Sequence, residues 1–237
     1  KLNRPWIADP ILDPIHYGLT NSIVRYHELR QKYPDAPMMM GVGNLTELTD
    51  ADTSGVNALL FGIISELNIT NVLATEVSPH ARRAIKEADV ARRMMFAARE
   101  DSSLPRDFTK DLMVSHERRP FPDTHLDIEE LASQVKDPNF RIKVAEQGIY
   151  LFNRDGMMTD NDPFTFYPQL DLKDDTGHAF YLGAELTKAQ IAWQLGKRYT
   201  QDEALEWGCA VAKEDVDLNE QKTEGTTMKK RTKCGTA

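Results

Sequence analysis

Two stretches decide the reading of the fold: Asp9-Pro10-Ile11-Leu12-Asp13-Pro14 and Met40-Gly41-Val42-Gly43-Asn44-Leu45-Thr46-Glu47-Leu48. Each closes an apolar run with carboxylate or amide side chains. Pro10 and Pro14 disfavour helix at the residues before them, so Trp6-Ile7-Ala8 reads as a strand that stops in a loop. Pro37 to Val42 is a continuous apolar run, the pattern of a strand buried on both faces. Between the two, Gly18 to Tyr33 sets Leu19, Ile23, Tyr26 and Leu29 at helical spacing, with Thr20 or Asn21 as caps and Pro34-Asp35 as the stop.

The alternation continues. Thr49 to Thr53 supplies cap residues for a helix through Val56, Leu60, Ile63 and Leu67. Asn71 to Thr75 reads as a third strand, stopped by Glu76 and Pro79, and residues 80–99 read as a long helix. Strand and helix alternating three times predict a parallel α/β barrel or a doubly wound sheet. A closed eight-fold barrel takes about 250 residues, so residues 1–101 would hold only part of one. The chain opens Lys1-Leu2-Asn3-Arg4 and runs at once into a strand, which reads as the carboxyl part of a longer polypeptide.

From Ser102 the texture changes, and Pro105, Pro120 and Pro122 mark a linker over 102–124. Residues 125–212 read as a small α+β domain: a short helix from Asp127 to Val135, alternating strands at Phe140–Ala145 and Ile149–Phe152, an Asn153-Arg154-Asp155-Gly156 turn, and a helix from His178 to Arg198. The Thr-, Lys- and Gly-rich composition at the end predicts a disordered tail over 213–237. The first hundred residues are nearly neutral, with 11 Lys/Arg against 12 Asp/Glu; residues 101–221 carry 13 against 24, and residues 222–237 carry 5 against 1. A net charge of −8 argues against generic nucleic-acid binding. No apolar run approaches the roughly 20 residues of a membrane span. Two cysteines, Cys209 and Cys234, make no disulfide framework, and a reducing, cytoplasmic setting is the plain reading. The six histidines are scattered and form no metal-ligand spacing, and Gly41-x-Gly43 lacks the third glycine of a phosphate loop.

In a parallel α/β protein the carboxyl ends of successive strands face one crevice. Asp9 and Asn44 stand at two such ends. An ionised Asp9 can accept two hydrogen bonds from adjacent donors, as a guanidine-like edge offers, whereas many Asp-Pro pairs merely end a strand. Asn44 carries both a donor and an acceptor, so it can contact a ring nitrogen that changes protonation; after Gly43 it is equally a turn residue with positive φ. Glu47, Asp50 and Asp52 read as helix-capping acids, with Glu47 also placed to line the mouth. Asp13 and Glu76 face the same crevice by position. On the second domain's long helix, His178, Tyr181, Glu185 and Lys188 share one face, either as a polar stripe beside the core or as a second polar site.

Asp9-Pro10 with Pro14, a helix, then Gly41-Val42-Gly43-Asn44 resembles the pterin-binding barrels, the superfamily of dihydropteroate synthase and the methyltetrahydrofolate:corrinoid methyltransferases. The methyltransferase branch has Ser where Gly43 stands. The synthase's second strand ends in a pterin-contacting Lys and its last strand in Arg-x-His, where this chain has Gly43-Asn44-Leu45 and Thr75-Glu76-Val77. A wider resemblance runs through Gly41–Asp52 and His178–Ala189 with Tyr199-Thr200-Gln201-Asp202. These stretches resemble the dihydropteroate-synthase-like proteins of tetrahydromethanopterin-using organisms, in which the barrel is followed by an accessory domain. The resemblance implies the carboxyl-terminal βα units of a TIM-type barrel, completed by a preceding half of the same polypeptide. It further implies a transferase of tetrahydromethanopterin biosynthesis in which Asp9 anchors a reduced pterin and Asn44 contacts its ring, and a homodimer. The alternatives are a methyltransferase using cobalamin as acceptor, and a non-catalytic pterin-binding scaffold.

Overall fold

Short apolar runs that alternate with amphipathic helices organise the first part of the chain. In the computed structural model, which describes residues 4–172 and 174–212, the elements are α1 (Leu19–Lys32), β1 (Met39–Gly41), α2 (Gly43–Thr46), α3 (Thr53–Glu66), β2 (Asn71–Leu73), α4 (Ala84–Glu100), α5 (His125–Gln134), β3 (Arg141–Ala145), β4 (Gly148–Asn153), β5 (Gly156–Asp160), α6 (Pro163–Phe166) and α7 (Thr176–Leu195). The fold is mixed α/β, and among the described residues no helix is long and apolar enough to cross a membrane. The described residues form two compact units, 4–114 with 208–212, and Ser115–Trp207.

In the first unit β1 pairs with β2 in parallel, and Ala8 forms a parallel bridge to Met38. Three chain segments thus run side by side in sequence order and in one direction. Met38, Met40 and Val42 turn inward and are buried against Tyr26 of α1, Leu60, Phe61 and Ile64 of α3, and Ala88 and Ala91 of α4. All three helices therefore share one core on one side of the strands. On the other side the alternation leaves Leu73 at 55% exposure, and Met39 is half-buried. The strands are shorter than their apolar runs suggest: Pro37 and Thr75 flank the ladder rather than join it.

One side chain stitches the bottom of this layer. The Arg30 guanidinium donates to the carbonyls of Pro34 (2.5 Å), Ala36 (3.0 Å), Leu67 (2.8 Å) and Asn68 (3.0 Å), so the end of α1, the turn before β1 and the end of α3 share one cation. Between α3 and α4, buried Glu87 accepts from Thr53 Oγ1 (2.5 Å) and Asn57 Nδ2 (3.4 Å). The expected helix over 80–99 begins instead with a separate 3₁₀ turn at Pro79–Ala81, and α4 starts only at Ala84.

The second unit is an antiparallel β3-β4-β5 sheet with a helix on each face. Ile142, Val144, Ile149 and Leu151 pack on Leu182, Leu186 and Ala189 of α7, while Tyr150 and Phe152 pack on Ile128 of α5. β4 is buried on both faces for this reason. α5 opens with a reciprocal capping box, Thr124 Oγ1 accepting from the Asp127 amide and the Asp127 carboxylate accepting from the Thr124 amide. The strand β5 has no counterpart in the sequence expectation: Met157-Met158-Thr159 lacks a clear alternation, and its order comes from pairing with β4. The division of the chain also differs from the expected 1–101, 102–124 and 125–212. Residues 102–114 belong with the first unit, and the Cys209 amide returns there by donating to Asp111 O at 2.7 Å. The tail expected over 213–237 lies outside the described residues.

Arg30→Ala should lower the first unit's unfolding free energy by about 2 kcal/mol, because several carbonyls lose a charged donor. Urea titration checks this. Arg30→Lys should recover little of it, since an ammonium cannot match the planar fork.

Candidate functional site

The parallel direction of Ala8, β1 and β2 brings the loops after them to one edge, and three sets of hydrogen bonds join those loops. Asn44 Nδ2 donates to Leu12 O at 2.7 Å, tying the second loop to the first. The Glu47 carboxylate reaches the third: Oε1 accepts from Thr75 Oγ1 (2.9 Å) and the Val77 amide (2.9 Å), and Oε2 from the Ser78 amide (2.7 Å). His80 Nε2 adds a 3.2 Å bond to Thr46 O. Asp9, Asp13, Asn44, Glu47 and Glu76 are thus carried on one connected rim.

The first loop is held in an unusual shape. Ile11 has φ 66°, a region costly for a β-branched residue. Arg25, projecting from α1, donates to Pro10 O (3.1 Å), Ile11 O (2.8 Å) and Asp13 Oδ2 (2.7 Å) and so maintains it. Asp13 is therefore a partner of Arg25 rather than a free carboxylate. Asp9 differs: its Oδ1 accepts from the Ile11 amide (2.9 Å) and from Tyr26 Oη (3.0 Å), and no hydrogen bond from the described residues reaches Oδ2. Burial, reinforced by the Asp9 carboxylate, raises the Tyr26 phenol well above its ordinary value, so it remains a donor.

Asn44 sits in the first turn of α2 with negative φ, which removes the positive-φ turn reading. Its nitrogen serves Leu12, and its oxygen takes no bond from the described residues. Glu47 neither caps α3 nor stands free at the mouth. Two backbone amides and a hydroxyl hold its carboxyl down at about 2, led by the Ser78 amide. Asp52 occupies the N-cap position of α3 without a side-chain cap bond, and Glu76 is exposed. Gly43 has a spatial reason: a Cβ there would lie 2.7 Å from Thr75 Oγ1, the hydroxyl that Glu47 uses. Arg25, Tyr26 and Thr75 are rim residues that sequence reasoning passed over. Tyr26 reads as one more apolar position of α1, and nothing local marks the other two.

In the second unit the stripe on α7 lies together as expected, but its polar ends are committed. Buried Glu185 accepts from Tyr199 Oη (2.7 Å) and pairs with Lys188. Tyr181 Oη donates to Asp202 Oδ1 (2.7 Å) and accepts from Gln201 Nε2 (2.8 Å), and Gln201 Oε1 accepts the Ile142 amide of β3 (2.8 Å). Burial beside Glu185 drives the Tyr199 phenol far up. His178 packs near Phe140 and Tyr181, ring centroids 6.2 Å apart in each case. The stripe locks the 199–203 segment and β3 onto α7. Among the described residues no group of three or more His, Cys, Asp or Glu is arranged to hold a metal ion.

No family model matches the chain, and no solved structure matches it. It is 34% identical over 219 residues to an uncharacterized protein of Methanocaldococcus jannaschii, a match taking in 83% of this chain and 42% of that protein. The chain therefore spans less than half the length of the relative it matches.

Because the Glu47 carboxyl is depressed from 4.5 to about 2, its contribution to stability is complete above pH 4.5 and is lost as pH falls through about 2. Thermal melts of the first unit's transition between pH 5 and 2 should show this loss, and Glu47→Gln should flatten that part of the profile while lowering the melting temperature at pH 7.

Proposed function

We propose that the rim formed by Asp9, Asn44 and the loop after β2 is a pterin-binding crevice, and that the protein acts as a dihydropteroate-synthase-like transferase in tetrahydromethanopterin biosynthesis. The observation that carries this is the pairing of Asp9 and Asn44 on one edge, each with one oxygen left without a partner among the described residues. A carboxylate oxygen suits the 2-amino and N3–H edge of a reduced pterin, and an amide oxygen suits a ring N–H. Ile11, Leu48 and Val77, one from each loop, are large exposed apolar side chains of the kind that flank a flat ring.

In such a synthase the arylamine nitrogen attacks the methylene carbon of a hydroxymethylpterin diphosphate. The carbon–oxygen bond breaks, pyrophosphate leaves, and the amine gives up a proton. The groups that would hold the diphosphate are not among the rim residues. The one-sided arrangement of α1, α3 and α4 over parallel strands supports reading the first unit as part of a (β/α) barrel, in which the face of exposed Leu73 and half-buried Met39 would be covered by further βα units. One observation favours methyl transfer to a corrinoid instead: the Asn44 oxygen, which takes no bond from the described residues, can accept from a protonated pterin N5. Methyl transfer to added cob(I)alamin separates the two.

Calorimetric titration with a reduced pterin should give saturable binding that is lost in Asp9→Ala/Asn44→Ala. Unchanged affinity in that variant would remove the assignment.

A further inference from the structure

The two oxygens of Asp9 are not equivalent, and α1 makes them so. Tyr26 is fully buried in the core with the strands, and its hydroxyl donates to the Asp9 carboxylate. A buried phenol needs a partner, and this one is fixed by a ring packed among Met38, Met40 and Leu12. The Ile11 amide, held by the strained loop that Arg25 maintains, supplies the second donor to the same oxygen. Oδ1 thereby has both lone-pair directions filled, while Oδ2 has none filled by the described residues. From sequence, an ionised Asp9 can accept two hydrogen bonds from adjacent donors; the geometry leaves Oδ2 to accept them.

We infer that Tyr26 is a positioning residue of the crevice: with the Ile11 amide it fixes Asp9 Oδ1 and presents Oδ2 as the single oxygen to which a ligand's N–H edge donates. This rests on the pterin reading of the crevice. It narrows that reading, because the 2-amino group and N3–H must converge on one oxygen. It also assigns Arg25 an indirect part, since that guanidinium holds the Pro10 and Ile11 carbonyls and so aims the Ile11 amide.

The test is a double-mutant cycle on the full chain, with 6-hydroxymethyl-7,8-dihydropterin as the titrant in calorimetry. Tyr26→Phe keeps the buried ring and deletes only the hydroxyl. It should weaken binding by about tenfold, the value of one charge-assisted bond. In an Asp9→Ala background, which leaves the hydroxyl no side-chain oxygen to fix, the same change should not weaken the residual binding further. Additive losses in the two backgrounds would show that Tyr26 acts through the core and would overturn the inference.

A ligand-free arm separates this from failure of the pterin reading. Amide hydrogen exchange of the ligand-free protein should speed up at Ile11 in Tyr26→Phe, because the carboxylate oxygen to which that amide donates loses its second anchor. Faster exchange at Ile11 without pterin binding to the unmutated chain would retain the positioning role and discard the ligand. Unchanged exchange there would discard the positioning role itself.

Discussion

Parallel strands that run in sequence order have only one place to put their following loops, and every feature of the rim depends on that constraint. Ala8, Met39–Gly41 and Asn71–Leu73 point one way, so Asp9, Asn44 and Thr75 emerge on one edge without any local signal linking them. The cross-loop bonds then convert shared direction into fixed geometry. Asn44 holds Leu12, and Glu47 holds Thr75, Val77 and Ser78. A carboxylate spent in this way contributes order rather than chemistry.

That division of labour separates the acids of the rim. Asp13 and Glu47 each have a specific partner, a guanidinium in one case and backbone amides in the other, and both shape loops. Asp9 is half-committed, one oxygen anchored and one presented. A site residue must be positioned and yet retain unused hydrogen-bonding capacity; among the described residues Asp9 does so with an amide and a phenol as its anchors, whereas the Asp13 carboxylate, whose Oδ1 also accepts no bond, is already paired with the Arg25 guanidinium. The second unit shows the opposite outcome. The His178–Lys188 stripe looks equally polar in sequence, yet Glu185, Tyr181 and Lys188 are occupied by the segment from Tyr199 to Glu203.

Much of the layer order was legible because its signals are local. Pro10 and Pro14 stop the first segment, Pro34 stops α1, and the run to Val42 is apolar without interruption. The mixed α/β class followed from their alternation. What stayed hidden depends on partners far along the chain. Glu47 finds its three donors 28 to 31 residues away, two of them backbone amides that any sequence would supply. Tyr26 disguises a polar contact inside an apolar position, because one side chain carries both a ring for the core and a hydroxyl for Asp9. β5 forms through its neighbour's hydrogen bonds, and Met157-Met158-Thr159 has no pattern of its own. The return of Cys209 to Asp111 is likewise a contact between residues 98 positions apart.

The central claim is that the rim at the strands' carboxyl edge is where this protein takes its ligand. Backbone amide chemical shifts mapped while a reduced pterin is added test it most directly. The account predicts saturable shifts concentrated in residues 9–13, 43–47 and 75–78, with the second unit unmoved. Saturable shifts confined to residues 115–207, or none anywhere, would contradict it.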